Sequence, residues 1–360
     1  MKAIKIAILK LVFLLIVLIG TIAAYFVFTY EKTEDPAESI STATLPVITM
    51  KYREQNINVL NGYTNEMQGK YMRQALTPYG EDGTVTLDIE RYANVIAAIS
   101  YQVRSVDTER LIDSEEIKEW TTDGEDIYVT LNMSNIMKED TEYLLIINLV
   151  TETHGNVYYY VHLKNPSGQD IEKQLEFVYD FSRLTISKEV TEKYGAYLEY
   201  DPSTDSSNLA NVNIKSSYDN IQWGDLKVTR ATDPVVTIKE ILGNIGCYEL
   251  QYKVKAQDEY GTEEYYNVTE YFRLRTVSSG MYLDVYERKA NQIFNPNTQS
   301  VSSTRINLGL DDDLKIHYKT SPTGSYVSFV KEGSLFMLDM EENKVTELFS
   351  FEKLTEEDVR

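Results

Sequence analysis

Tyr143–Lys164 reads YLLIINLVTETHGNVYYYVHLK, and Tyr248–Arg275 reads YELQYKVKAQDEYGTEEYYNVTEYFRLR. Each stretch is an apolar-alternating run, a polar turn holding Gly155 or Gly261, a Tyr-Tyr pair, and a second run closing on Leu plus a basic residue. Alternation on both sides of a short Gly-containing turn predicts a β-hairpin. The two stretches are therefore the same element used twice, and they set the chain as mainly β.

The repeat extends upstream. Val129-Thr130-Leu131 corresponds to Val236-Thr237-Ile238, and Val85, Ile89 and Tyr92-Ala-Asn94 correspond to Val212, Ile214 and Tyr218-Asp-Asn220. Three matches in one order at comparable spacing predict two related modules, residues 44–166 and 172–278. Strands such as Val85–Ile89 and Ile127–Leu131, set between turn signals, suggest antiparallel β-sandwiches. Segments Asn65–Ala75 and Asp113–Trp120 read as short helices.

Asn244-Ile-Gly246-Cys-Tyr248 resembles the tyrosine corner that begins strand F of immunoglobulin-like sandwiches, and Glu139-Asp-Thr141-Glu-Tyr143 is a looser version at the matching place. The resemblance is to the broad immunoglobulin-like architecture, because no cysteine pair and no core Trp accompany it. It implies two tandem sandwiches in which each Tyr hydroxyl bonds back to the backbone a few residues upstream.

Residues 279–325 read as a connecting helix and loops, with Tyr282, Tyr286, Ala290 and Ile293 of Met281–Phe294 at helical spacing. Residues 326–360 hold three short runs separated by Lys-Glu-Gly and Glu-Glu-Asn turns, a β-meander similar to one β-propeller blade. A lone blade leaves a face to cover, so it packs on the sandwich or belongs to a longer propeller-containing surface protein, with the modules as its stalk.

At the other end, Leu11–Phe28 (LVFLLIVLIGTIAAYFVF) is an uncharged run. As a helix rising about 1.5 Å per residue it spans roughly 27 Å, close to a bilayer's hydrocarbon core. Lys2, Lys5 and Lys10 precede it, and Glu31, Glu34, Asp35 and Glu38 follow. This asymmetry places the N-terminus in the cytoplasm and residues 31–360 outside. Residues 1–30 thus read as a cytoplasmic stub and single-pass transmembrane anchor, and 31–43 as an acidic linker. Thr21-Ile22-Ala23 is a weak site for cleavage of a secretion signal, since the apolar run continues past it.

A formal net charge of −21 argues against nucleic acid as a partner, because phosphate backbones select basic surfaces. Cys247 is the single cysteine, so no disulfide forms within the chain. An anchored ectodomain without disulfides fits the outside of a Gram-positive bacterium. Tyrosine is abundant, 28 against 11 Phe and 2 Trp, and suits half-buried strands. A sharper reading makes Tyr159 and Tyr266 an aromatic platform for a cell-wall glycan.

Catalytic signals are sparse. His154, His162 and His317 are scattered beyond the local spacings of a zinc site. No phosphate-binding glycine loop and no hydrolase elbow occurs, and no cofactor is expected. Fifty-six acidic residues leave room for a glycosidase pair without signalling one. Asp201-Pro-Ser203-Thr-Asp205 resembles the first half of a calcium loop but lacks its glycine turn and terminal Glu, Asp311–Asp313 is a more compact acidic cluster, and both read as solvated loops. Asn132-Met-Ser134 and Asn267-Val-Thr269 match the glycosylation pattern. The expected function is non-enzymatic: an anchored binding or scaffold protein for a protein or glycan, or else a sensory ectodomain working through a membrane partner.

Overall fold

The computed structural model describes residues 45–350, apart from 80–82, 93, 125, 134–137, 167–169, 205–208, 258–260, 297–304 and 311–314. The expected anchor Leu11–Phe28, the linker, Asp205, Asp311–Asp313 and Ser134 lie outside the described residues. Among the described residues, no helix is long and apolar enough to cross a membrane.

The fold is mainly β. The first half supplies β1 (Val47–Tyr52), β2 (Gln55–Leu60), β3 (Leu76–Pro78), β4 (Thr84–Glu90), β5 (Ile96–Ser105), β6 (Leu111–Ile117), β7 (Thr121–Asp123), β8 (Asp126–Asn132), β9 (Glu142–Thr151) and β10 (Gly155–Lys164). One sheet runs β2-β1-β4-β8-β7 and the other β3-β10-β9-β5-β6. Their inner residues, Met50, Leu87 and Val129 from one and Val103, Ile147 and Val161 from the other, join a single core. The Tyr159 hydroxyl crosses it to donate to the Pro46 carbonyl at 2.6 Å. Strict alternation of buried and half-exposed residues in β4 (Thr84 to Ile89) is what lets one face close on that core.

The second half continues the first sheet. α1 (Ile171–Ser187), α2 (Val190–Tyr194), β11 (Asn211–Asn213), α3 (Tyr218–Ile221), β12 (Thr229–Arg230), β13 (Val235–Leu242), β14 (Ile245–Gln257), β15 (Glu263–Val277) and β16 (Gly280–Gln292) follow in order. Strands run β11-β16-β15-β14-β13-β2, so one 11-stranded sheet spans both halves, with β12 beside β14. The expectation of a second two-layer sandwich over 172–278 is corrected here: the layer facing this part of the sheet is helical. Phe181 of α1 packs against Phe272 and Tyr286 with ring centroids 5.6 and 4.8 Å away. Asp170 caps α1 by accepting from the Lys173 N–H at 3.2 Å, and Lys188 ends it in the left-handed conformation.

The halves meet along β2 and β13, which run parallel with one backbone pair, Val236 and Ile57. Asn58 sits there in a bulge of β2, at φ 50 and fully buried. Its side-chain amide donates to Leu76 O and Thr77 Oγ1, each at 2.9 Å, and its oxygen accepts from Ile238 N–H. Asn tolerates positive φ better than most residues, and its amide replaces the interrupted ladder.

Three expected helices are corrected. Asn65–Ala75 holds only a single 3-10 turn, Gly69–Tyr71. Asp113–Trp120 begins in β6, an edge strand whose polar pattern carries no face signal. Met281–Phe294 is β16: Tyr286, Arg288, Ala290 and Gln292 are buried at period two. A spacing of four, as between Tyr286 and Ala290, satisfies both periods, and the buried Arg288 and Gln292 hid the strand pattern.

The tyrosine corners also divide. β8 pairs with β4 and β9 with β5, so the chain crosses between sheets, and the Tyr143 hydroxyl accepts from Lys138 N–H at 3.0 Å. β13 and β14 instead form a direct hairpin around Gly243 at φ 56. With no crossover to pin, Tyr248 turns its hydroxyl to Gln174 of α1.

β17 (Tyr318–Thr320), β18 (Tyr326–Lys331), β19 (Ser334–Asp339) and β20 (Lys344–Ser350) form a four-stranded antiparallel sheet, the expected meander plus one strand. Its own small core is Phe294, Phe329, Phe336, Leu338 and Val345. Asn267 Nδ2 reaches Glu332 of the β18–β19 turn at 2.8 Å.

Candidate functional site

Two clefts are bordered by charged side chains. The first, of about 710 Å³, lies over α1. Residues Lys173, Glu176, Phe177, Asp180 and Arg183 recur at helical spacing along one side of α1, which brings them to a common wall. Lys193, Tyr194 and Tyr197 face them from the next turn of chain, while Gln55 and Arg230 enter from β2 and β12. In a chain of net charge −21, this lining carries four cations against two carboxylates.

Asp180 is the hub. It accepts from Arg183 Nη2 and Lys193 Nζ at 2.6 Å each and from the Tyr194 hydroxyl at 2.9 Å. Burial works to raise its carboxyl, but the bonds from Lys193, Arg183 and Tyr194 prevail and hold it at about 2. Phe177 anchors the aromatic wall, with Tyr194 and Tyr197 at centroid distances of 4.7 and 5.1 Å. Tyr179 donates its hydroxyl to Asn56 O at 3.3 Å, and burial pushes it up to about 12.

The second cleft, of about 730 Å³, is bordered by Arg73, Asp140 and Glu142. Glu142 Oε1 accepts from Arg73 Nε at 2.8 Å and from His162 Nδ1 at 2.5 Å. The bond from His162 leads in holding the Glu142 carboxyl at about 2, against burial and with Arg73 assisting. Arg73 also donates to Glu240 Oε1 at 2.8 Å, and Lys164 Nζ donates to Ile241 O at 3.0 Å. These bonds tie β9, β10 and the segment of Arg73 ahead of β3 to β13, so the cluster is a latch between the halves.

The residues singled out in the sequence are not brought together. His162 is 2 % exposed in β10, His154 sits at the β9–β10 tip, and His317 precedes β17. Among the described residues no group of three or more His, Cys, Asp or Glu is placed to hold a metal ion. Cys247 is a buried thiol in β14. Asp201 Oδ1 accepts from Ser203 N–H and Oγ at 2.9 and 2.7 Å, the work of a turn-capping residue. Asn267 lies within β15, bonded to Glu332.

Tyr159 is fully buried and Tyr266 is 9 % exposed, which corrects their reading as a platform. In an alternating strand one member of each Tyr pair must face the core, and these are the inward ones. The charged wall of α1 leaves no mark in the residues singled out above, although Asp170 as cap and Ile171, Leu175, Val178 and Phe181 at helical spacing are signals of the helix. No model of a known protein family matches the chain, and no curated protein matches it.

Proposed function

We propose that this chain is a single-pass, membrane-anchored extracytoplasmic protein of a Gram-positive bacterium that binds a ligand without transforming it. The observation that carries the reading is the α1 cleft, where a strongly acidic chain gathers a cationic and aromatic lining on the sheet-and-helix half. The uncharged run Leu11–Phe28, with lysines before it and acids after it, supports the anchor and its orientation. The strand orders β1-β4-β8-β7 and β10-β9-β5-β6, β3 parallel to β10, and the bond between Tyr143 and Lys138 support an immunoglobulin-like reading of residues 44–166. The four-stranded sheet supports the comparison with a propeller blade.

Protease added to intact cells tests the topology. Digestion of everything beyond residue 31 is the expected result, and full protection of the chain against protease overturns it.

A further inference from the structure

We propose that the α1 cleft takes a small saccharide bearing a carboxylate, with Arg230 as the partner of that carboxylate; this rests on the binding reading above. Arg230 is half-buried, donates from Nη2 to Ser182 Oγ at 2.8 Å, and lies 4.6 Å over the Tyr252 ring. Its Nε is shut off from solvent without a hydrogen-bond partner, and it forms no ion pair among the described residues. The other cations of the cleft are already engaged: Arg183 and Lys193 by Asp180, and Lys173 by Asp170.

A guanidinium presents a planar fork of donors that matches a carboxylate, and such charge-assisted bonds are about twice as strong as neutral ones. One guanidinium without an ion pair suits one negative charge, whereas a phosphate dianion is better matched by several cations. Gln55 also borders the cleft, and its Oε1 is a second solvent-shielded acceptor without a partner, which a rotation of the side-chain amide would offer to a hydroxyl or amide N–H. Lys193 Nζ lies 5.1 Å over the Tyr194 ring, which leaves the half-buried Tyr197 beside Phe177 as the aromatic side to which the C–H face of a pyranose can pack. The volume of about 710 Å³ falls among small-ligand pockets, which span roughly 300–1,000 Å³. A carboxylate for Arg230, a hydroxyl or amide for Gln55 and a ring for Tyr197 together describe an acidic sugar.

The test is calorimetric titration of the full chain in detergent micelles with digalacturonate, its neutral counterpart digalactose, inorganic phosphate and triglutamate. Digalacturonate should bind at least tenfold more tightly than digalactose. Arg230→Gln should weaken it at least tenfold, with a lower thermal midpoint from the lost bond to buried Ser182, and Gln55→Leu should weaken it several-fold. Equal affinity for digalactose, unchanged binding in Arg230→Gln, or no saturation below about 10 mM overturns the proposal. Phosphate binding as tightly overturns the carboxylate, and triglutamate binding as tightly overturns the saccharide. Should Arg230→Gln fail to fold, Gln55→Leu and the comparison of the four ligands on the unaltered chain still decide. Protease accessibility on cells is independent of the cleft, so loss of this proposal leaves the anchored reading standing, and the reverse result is equally distinct.

Discussion

The side-chain oxygen of Asn58 accepts a 2.7 Å hydrogen bond from the backbone N–H of Ile238, across 180 residues of chain. The same amide donates to Leu76 and Thr77 of the opposite sheet, so one residue joins both layers of the first half to the second half. Asn58→Ala leaves these buried groups without partners and places Ala at positive φ. The expected loss is roughly 2–4 kcal/mol, read as a lower urea midpoint. Asn58→Gly, which keeps the backbone freedom, should recover only about 1 kcal/mol of it.

Acid should loosen the latch at Glu142 before most of the core responds. Its folded carboxyl sits at about 2 against the ordinary 4.5, so the folded state favours the ionised form. That contribution is complete above about pH 4.5 and fades as pH falls towards 2. Asp180, lowered from 3.8 to about 2, behaves alike between those values. Glu142→Gln should lower the thermal midpoint at pH 7 by roughly 2–6 °C and flatten its fall between pH 4.5 and 2. Melting curves across that range are the check, and a parallel fall in both proteins would oppose it.

Gly246 is tight because of its neighbours and not its backbone. A methyl there would overlap Gln174 Oε1 and the Tyr248 hydroxyl, the pair that fastens α1 to β14. Gly246→Ala should cost about 1–3 kcal/mol. Pairing it with Gln174→Ala should recover part of that loss, and a double-mutant cycle measures the coupling.

Arg288 is fully buried, donates to Ile221 O and Asn220 O at 2.8 and 2.9 Å, and stacks 3.7 Å over Trp223. It lies directly across the β15–β16 ladder from the fully buried Glu270. Arg288→Met removes the cation and both donors, so a loss of about 3–5 kcal/mol is expected. Arg288→Lys should still lose a substantial part, because an ammonium reproduces neither the fork nor the stacking. Urea unfolding followed by far-ultraviolet circular dichroism reads both.

The hairpins β9–β10 and β14–β15 were legible because alternation, a turn glycine and a repeat all agree locally. The C-terminal meander was legible for the same reason. β16 was not, since Arg288 and Gln292 occupy inward positions where pattern reading expects apolar residues. The merger of two modules into one sheet was hidden as well. It depends on a parallel contact between β2 and β13 and on Asn58 at positive φ, neither of which leaves a local mark. The cleft was least legible of all: Arg230 reaches α1 only because β12 pairs with β14.

The shared sheet also dictates an order of events during synthesis. β2 emerges early, yet its partner β13 follows some 180 residues later. At about 5–20 residues per second, that strand edge stays open for roughly 10–35 s on the growing chain. An open edge recruits other strands, so β2 is where the growing chain is exposed to mispairing until β13 arrives. A fragment ending at residue 166 would keep that edge permanently open and should self-associate.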